Sequence, residues 1–232
     1  MGINSIKMFS DKGPLNSERR SKFLLVSIVV FFVLAPLIED REIGALALIF
    51  NLYITLVIST MELAENRIVF WSAIPIAAGS MFLLLFSHYH STPAFLVANG
   101  IVLALFFLLV SVSLFAYLGQ ASSFTNSRLY VTVSLYFLLG LTWFAIYHVI
   151  NIIQPGSFME LGVPITGKTH WSTFLYFSLT TLTTLGYGDI VAVKPTARML
   201  AVLEASVGVL YIAITVARLV STATKEKGTE LQ

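Results

Sequence analysis

The chain has 232 residues, of which 57% are hydrophobic and 11% charged, with a mean hydropathy of +0.86 and a formal net charge of +2. A soluble domain sits near half apolar and a quarter charged, so this composition describes a membrane protein. With no cysteine there is no disulfide, thiol catalysis or Cys-ligated metal site, and so small a charge gives no sign of nucleic acid as a partner.

Residues 1–22 are polar, with Lys7, Lys12, Arg19, Arg20 and Lys22 and the turn-forming Gly13-Pro14, and read as a cytoplasmic tail. The apolar run Phe23–Leu37 has the outline of a signal peptide. No small-residue cleavage site precedes Glu39-Asp40, so an uncleaved first span is expected. Further apolar stretches lie at Ile43–Met61, Val69–Ser87, Pro93–Leu118, Leu129–Ile153 and Ala197–Ser221. A helix needs about 20 residues to cross the hydrocarbon, so six spans are predicted, the first of them short. A seventh segment, Trp171–Thr184, is too short to span and rich in threonine. It reads as a re-entrant half-helix, which membranes tolerate only where it is buried in protein or lines a wet cavity.

Six spans bring both termini to one side. If that side is cytoplasmic, the basic residues of the two tails join Arg67, Arg128 and Arg218 inside, against Arg41, Lys168, Lys194 and Arg198 outside. This asymmetry obeys the positive-inside rule. The expected fold is therefore all-α. Its units are an N-terminal tail (1–22), a four-helix transmembrane domain (23–118), a cytoplasmic linker (119–128), a domain of helix, half-helix, loop and helix (129–221) and a short cytoplasmic tail (222–232).

The half-helix runs into Thr183-Thr184-Leu185-Gly186-Tyr187-Gly188-Asp189. A row of backbone carbonyls aimed at one axis can replace the hydration shell of a monovalent cation. Aiming successive carbonyls the same way requires alternation between right- and left-handed backbone, and glycine reaches the left-handed region without steric cost. Gly186 and Gly188 stand where that alternation needs them. Thr184 adds a hydroxyl at the inner end, and Tyr187 can pack outward.

This run resembles the selectivity filter of potassium channels, whose usual form is T-V-G-Y-G-D, with Leu185 in place of the valine. Thr181-Leu182-Thr183-Thr184 resembles their T-x-T-T lead-in. The chain is similar to the six-span prokaryotic potassium channel family. The likeness is specific over Trp171–Asp189, supportive over Ala197–Ser221 and only architectural before that. It implies K+ coordinated by Thr184, Leu185, Gly186 and Tyr187, with Asp189 at the outer mouth and no organic cofactor. A single loop per chain requires a ring of chains, and the resemblance implies four: a homotetramer of this chain and three identical subunits, set among lipids of a prokaryotic plasma membrane. It implies a pore helix whose C-terminal dipole faces the cavity. It also implies a gating-hinge glycine at Gly208, nineteen positions after Asp189 (208 − 189), where close helix packing is the competing reading. Ile212, Val216 and Val220 share one helical face and either line the pore or face lipid.

Some features depart from the family or stand outside it. Many potassium channels carry paired Trp in the pore helix, the second bonding the filter aspartate; here those positions are Tyr176 and Phe177, and Phe177 has no donor. The outer mouth is therefore expected to be braced in another way. Glu204 falls inside a span, where a carboxylate must be paired or functional. A hydroxyl of the half-helix, such as Thr180 or Thr181, or a neighbouring chain is the expected partner, and a bond behind the filter is the favoured role over a proton sensor. The fourth span, Pro93–Leu118, has no Lys or Arg, so the first four helices lack the charges that sense voltage. His88 and His90 read as loop residues rather than metal ligands. His148 and His170 read as interfacial packing or external pH sensors. The expected function is passive, potassium-selective conduction without a conventional voltage sensor. A weakly selective cation channel and a non-conducting scaffold or modulatory subunit are the alternatives, and no nucleophile–base pair suggests an enzyme.

Overall fold

The computed structural model describes residues 14–38, 49–57, 67–89, 92–119, 125–166 and 171–230. In chain order these form α1 (Pro14–Ile38), α2 (49–57), α3 (Arg67–Tyr89), α4 (Pro93–Gly119), α5 (Asn126–Ile153), β1 (Phe158–Glu160), β2 (Val163–Pro164), α6 (Trp171–Leu182), β3 (Ile190–Ala192) and α7 (Pro195–Glu230). Helix satisfies every backbone group within one segment, which is what the hydrocarbon demands, and helix occurs within each of the six apolar stretches. Among the described residues, Pro93–Gly119, Asn126–Ile153 and Pro195–Arg218 are long and apolar enough to cross a membrane, and Trp71–Phe86 is a shorter apolar helix. The expected sites at His90 and His170, and the side chains of His88 and Val220, lie outside what is described.

The helices pack in an order that leads to α6. Helix α4 contacts both α3 and α5, α1 contacts α5, and α6 contacts both α5 and α7. Small polar side chains join the first helices, as is usual where lipid supplies no hydrophobic drive between them. Ser21 and Ser127 hydroxyls meet at 2.7 Å across α1 and α5, and Tyr53 bonds Ser80 at 2.5 Å across α2 and α3. Phe31 of α1 reaches Trp171 at the start of α6, with ring centroids 5.7 Å apart.

Two findings differ from the sequence reading. The segment after α5, within a region expected to be all-α, contributes two strands to an antiparallel sheet of order β2-β1-β3. Strand β1 pairs Phe158 with Ala192 and Glu160 with Ile190, so it clips the chain that follows residue 189 to the chain that follows α5. Phe158 plants the sheet in the core. Its fully buried ring meets Tyr147, Phe174 and Phe177 edge-on, at centroid distances of 5.5, 5.3 and 5.2 Å. Helix α7, in turn, does not stop near Ser221. Its 36 residues extend about 54 Å, beyond a hydrocarbon core of about 30 Å, so most of the expected tail is helical.

Gly208 marks the tightest approach of α7 to α6. A Cβ there would lie 2.0 Å from the Leu182 carbonyl oxygen, which is backbone and cannot move aside. The Tyr136 hydroxyl of α5 donates to that same carbonyl at 3.1 Å. Close packing is thus one reason for a glycine at 208. Gly208→Ala should destabilise the fold by about 2 kcal/mol, the usual scale for overpacking a tight core, as a lowered unfolding midpoint of the purified protein in detergent. A midpoint equal to that of the parent would mean that α7 does not seat on Leu182.

Candidate functional site

Helix α6 ends at Leu182, and its last carbonyls organise the loop beyond. The Leu185 and Gly186 amides both donate to Thr180 O, at 2.8 and 3.1 Å, and the Thr184 amide donates to Thr181 O at 2.9 Å. Thr183 prolongs the helix, with its amide and its hydroxyl on Leu179 O at 3.0 and 2.7 Å. The inner half of the loop thus hangs from α6 by its N–H groups.

The backbone then alternates. Positive φ occurs at Thr184 (58°), Gly186 (50°) and Gly188 (83°), and at neither residue between them. For the glycines this region is free of strain. For Thr184 it is costly, on the order of 1 kcal/mol or more, and such strain is characteristic of functional segments. Residues 183–188 are exposed throughout, so among the described residues nothing buries the loop.

At the outer end Asp189 is held from three sides. Tyr176 donates to its carboxylate at 2.7 Å, the Ile190 amide donates to the other carboxylate oxygen at 3.0 Å, and the Leu161 amide donates to its backbone carbonyl at 2.8 Å. The brace is thus the first residue of the Tyr176-Phe177 pair and not the second. Phe177 is buried among Tyr147 and Phe158, on the core side of α6, whereas Tyr176 stays exposed and lies parallel to Tyr187, centroids 6.5 Å apart. The hydrogen bond from Tyr176, helped by the Ile190 amide, holds the Asp189 carboxyl below its ordinary value against the opposing effect of desolvation.

Glu204 of α7 is fully buried behind the loop. A hydroxyl of α6 does serve it, as expected, but neither of the two named: the Thr180 hydroxyl turns back to Phe177 O at 3.0 Å, and Thr181 meets the loop through its backbone. Instead Tyr147 donates to one Glu204 oxygen at 2.6 Å, and the Ser178 hydroxyl lies 2.5 Å from the other. Neither residue stood out in the sequence. The available signal was that a tyrosine in mid-span and a serine on the half-helix each need a hydrogen-bond partner when buried.

Among the remaining expected residues, Ile212 and Val216 are exposed one turn apart on α7. His148 packs between Phe144 and Phe174, at centroid distances of 6.4 and 5.9 Å, in an interior setting rather than an external one.

Residues 131–225 match the family model described as ion channel. No curated protein and no solved structure matches the chain. The matched region covers α5, the sheet, α6, the loop and most of α7, and leaves out the four preceding helices. The chain is an integral membrane protein, and over this region it is similar to ion channels, which points to transport rather than catalysis.

The sign of the Asp189 shift sets a test. A carboxyl with a depressed folded value lends stability that is complete above its ordinary value and lost as pH falls through the folded one. The Tyr176–Asp189 brace should therefore persist at neutral pH and below the ordinary 3.8. In Tyr176→Phe the first cause of the shift is gone, so Asp189 should titrate at higher pH than in the parent, read from carboxyl NMR shifts. Identical titrations would remove Tyr176 as the brace.

Proposed function

We propose that the protein is a potassium-selective channel in which four copies of the chain place the 184–188 loops around one axis. The observation that carries this reading is the alternation of backbone handedness at Thr184, Gly186 and Gly188. That alternation directs successive carbonyls of Thr184, Leu185, Gly186 and Tyr187 toward a common side, where they replace the water around a dehydrated K+. Conduction is passive, with neighbouring ions displacing one another between carbonyl sites.

Assembly follows from what one chain leaves open. A single loop cannot surround a cation, and residues 183–188 are uncovered. The adjoining face of α7 exposes Val209, Leu210, Ile212 and Val216, apolar surface suited to neighbouring copies and to the cavity below the filter. The C-terminal end of α6 directs the negative end of its dipole to that cavity, favouring a cation midway across the membrane. Helix α4 contains no Lys or Arg, so opening draws no charge movement from it. The two termini lie on the cytoplasmic side of a prokaryotic plasma membrane in this reading, by the distribution of Lys and Arg.

Single-channel recording in liposomes under opposed K+ and Na+ gradients tests the proposal. The reversal potential should sit close to the K+ equilibrium value. Gly186→Ala, which forces a side chain onto a residue at φ +50°, should abolish the current or its selectivity. A reversal near zero would mean a weakly selective cation channel, and silence of a tetrameric sample would favour the scaffold reading.

A further inference from the structure

Three oxygen–oxygen contacts meet around Glu204. Tyr147 Oη lies 2.6 Å from Glu204 Oε2, Ser178 Oγ lies 2.5 Å from Glu204 Oε1, and Ser178 Oγ lies 2.8 Å from the Gly140 carbonyl oxygen. Each contact needs one proton between its oxygens. The tyrosine and the serine supply one each, and a carbonyl supplies none. An ionised carboxylate would therefore leave one of the two Ser178 contacts as facing lone pairs. A carboxylic acid completes the set: Tyr147 O–H donates to Oε2, Oε1–H donates to Ser178, and Ser178 O–H donates to Gly140 O.

We infer that Glu204 is a neutral carboxylic acid that ties α5, α6 and α7 together and sets the position of the helix from which the filter hangs. Charge on the site points the same way, because a buried carboxylate is tolerated only with a compensating partner. Both partners here are hydroxyls, and Tyr136 of α5 and Tyr211 of α7 bond the backbone carbonyls of Leu182 and Thr132. The grip has two points one helical turn apart on α7. Glu204 holds Ser178, and Gly208 receives Leu182 O. Between those two contacts lies Thr180, whose carbonyl takes the amides of Leu185 and Gly186. Glu204 is thus a positioning residue for the filter. Its effect on conduction rests on the channel reading; its protonation does not.

Two measurements separate these layers. Infrared spectra of the purified parent at neutral pH should contain the C=O stretch of a protonated carboxylic acid. Glu204→Gln should remove that band, and Tyr147→Phe, by deleting a donor to the C=O oxygen, should raise its frequency. A parent spectrum without the band, or a band that survives Glu204→Gln, overturns the inference whatever the channel does. If Glu204→Gln does not assemble, the shift in Tyr147→Phe assigns the band, and a band unmoved there overturns it.

In liposomes, Gln reproduces the donor and acceptor set of a protonated Glu. Glu204→Gln should therefore keep the K+/Na+ permeability ratio within about twofold. Ser178→Ala and Glu204→Ala should lower it by about tenfold, the scale of one buried polar group left unpaired. A ratio equally reduced in Glu204→Gln and Glu204→Ala, or unchanged in all three variants, overturns the positioning role. A parent that conducts without selectivity refutes the proposed function and leaves the infrared result standing.

Discussion

In the proposed channel reading, a loop that must keep its carbonyls free for an ion cannot be stabilised by secondary structure of its own. Every other feature of the C-terminal region answers that constraint. The loop is suspended through N–H groups, on the carbonyls of Thr180 and Thr181 at one end and through the ties on Asp189 at the other. Its geometry is therefore as good as the placement of α6 and of the chain that leaves residue 189. The first is fixed by α5 and α7 through Tyr136, Ser178, Glu204 and Gly208. The second is fixed by the pairing of β3 with β1, which Phe158 anchors beneath Tyr147 and between the rings of α6. The two anchorages share Tyr147, which holds Phe158 by its ring and Glu204 by its hydroxyl.

Among the described residues, most buried polar side chains of this membrane domain are hydrogen-bonded, with Ser111 Oγ, His148 Nδ1 and Asn151 Oδ1 as exceptions. In hydrocarbon an unpaired hydroxyl is costly, so a buried Ser or Tyr locates a neighbour as specifically as a close-packed methyl does. Ser178 illustrates this: it touches α5 through Gly140 O and α7 through Glu204, and no apolar residue at 178 makes both links. Helix order around α6 is thus set by a short chain of hydrogen bonds, and the surrounding aromatic rings supply the bulk.

Much of this arrangement was legible in the sequence, for definite reasons. Hydropathy located helix in all six stretches because backbone satisfaction leaves no other choice in lipid. Gly186 and Gly188 were readable because few residues enter the left-handed region at alternate positions, and Thr184 proved the third member of that series. The sheet was not readable, since strands of two or three residues carry no periodicity and exist only through pairing across the loop. Tyr176 was placed at the mouth but not as the donor to Asp189, because counting back from Asp189 gives a position along α6 but not the face it presents. Phe177 faces the core, so the residue before it meets the aspartate. That a hydroxyl of α6 would meet Glu204 was readable, but which one was not, for the same reason: Ser178 faces α7, whereas the Thr180 hydroxyl bends back onto α6.

The four preceding helices follow from a separate argument. A charge crossing the membrane field supplies about 2.3 kcal/mol per 100 mV, and α4 has none to move. What α4 does have is intimate contact with α5. Gly100 lets it approach until an added Cβ would sit 2.4 Å from the Val149 side chain, and Phe106, Val110 and Leu114 are buried along its length. It also meets the far part of α7, where the Arg218 guanidinium stands 5.9 Å from the centre of the Phe115 ring, within the range of a cation–π attraction. One apolar helix thus touches α5 along its buried side and also the far part of α7. A displacement of α7 relative to α5 would have to break or carry with it the Arg218–Phe115 contact. That contact is one route by which these helices bear on the 131–225 region, beside the packing of α1 and α4 on α5 and the Phe31–Trp171 contact.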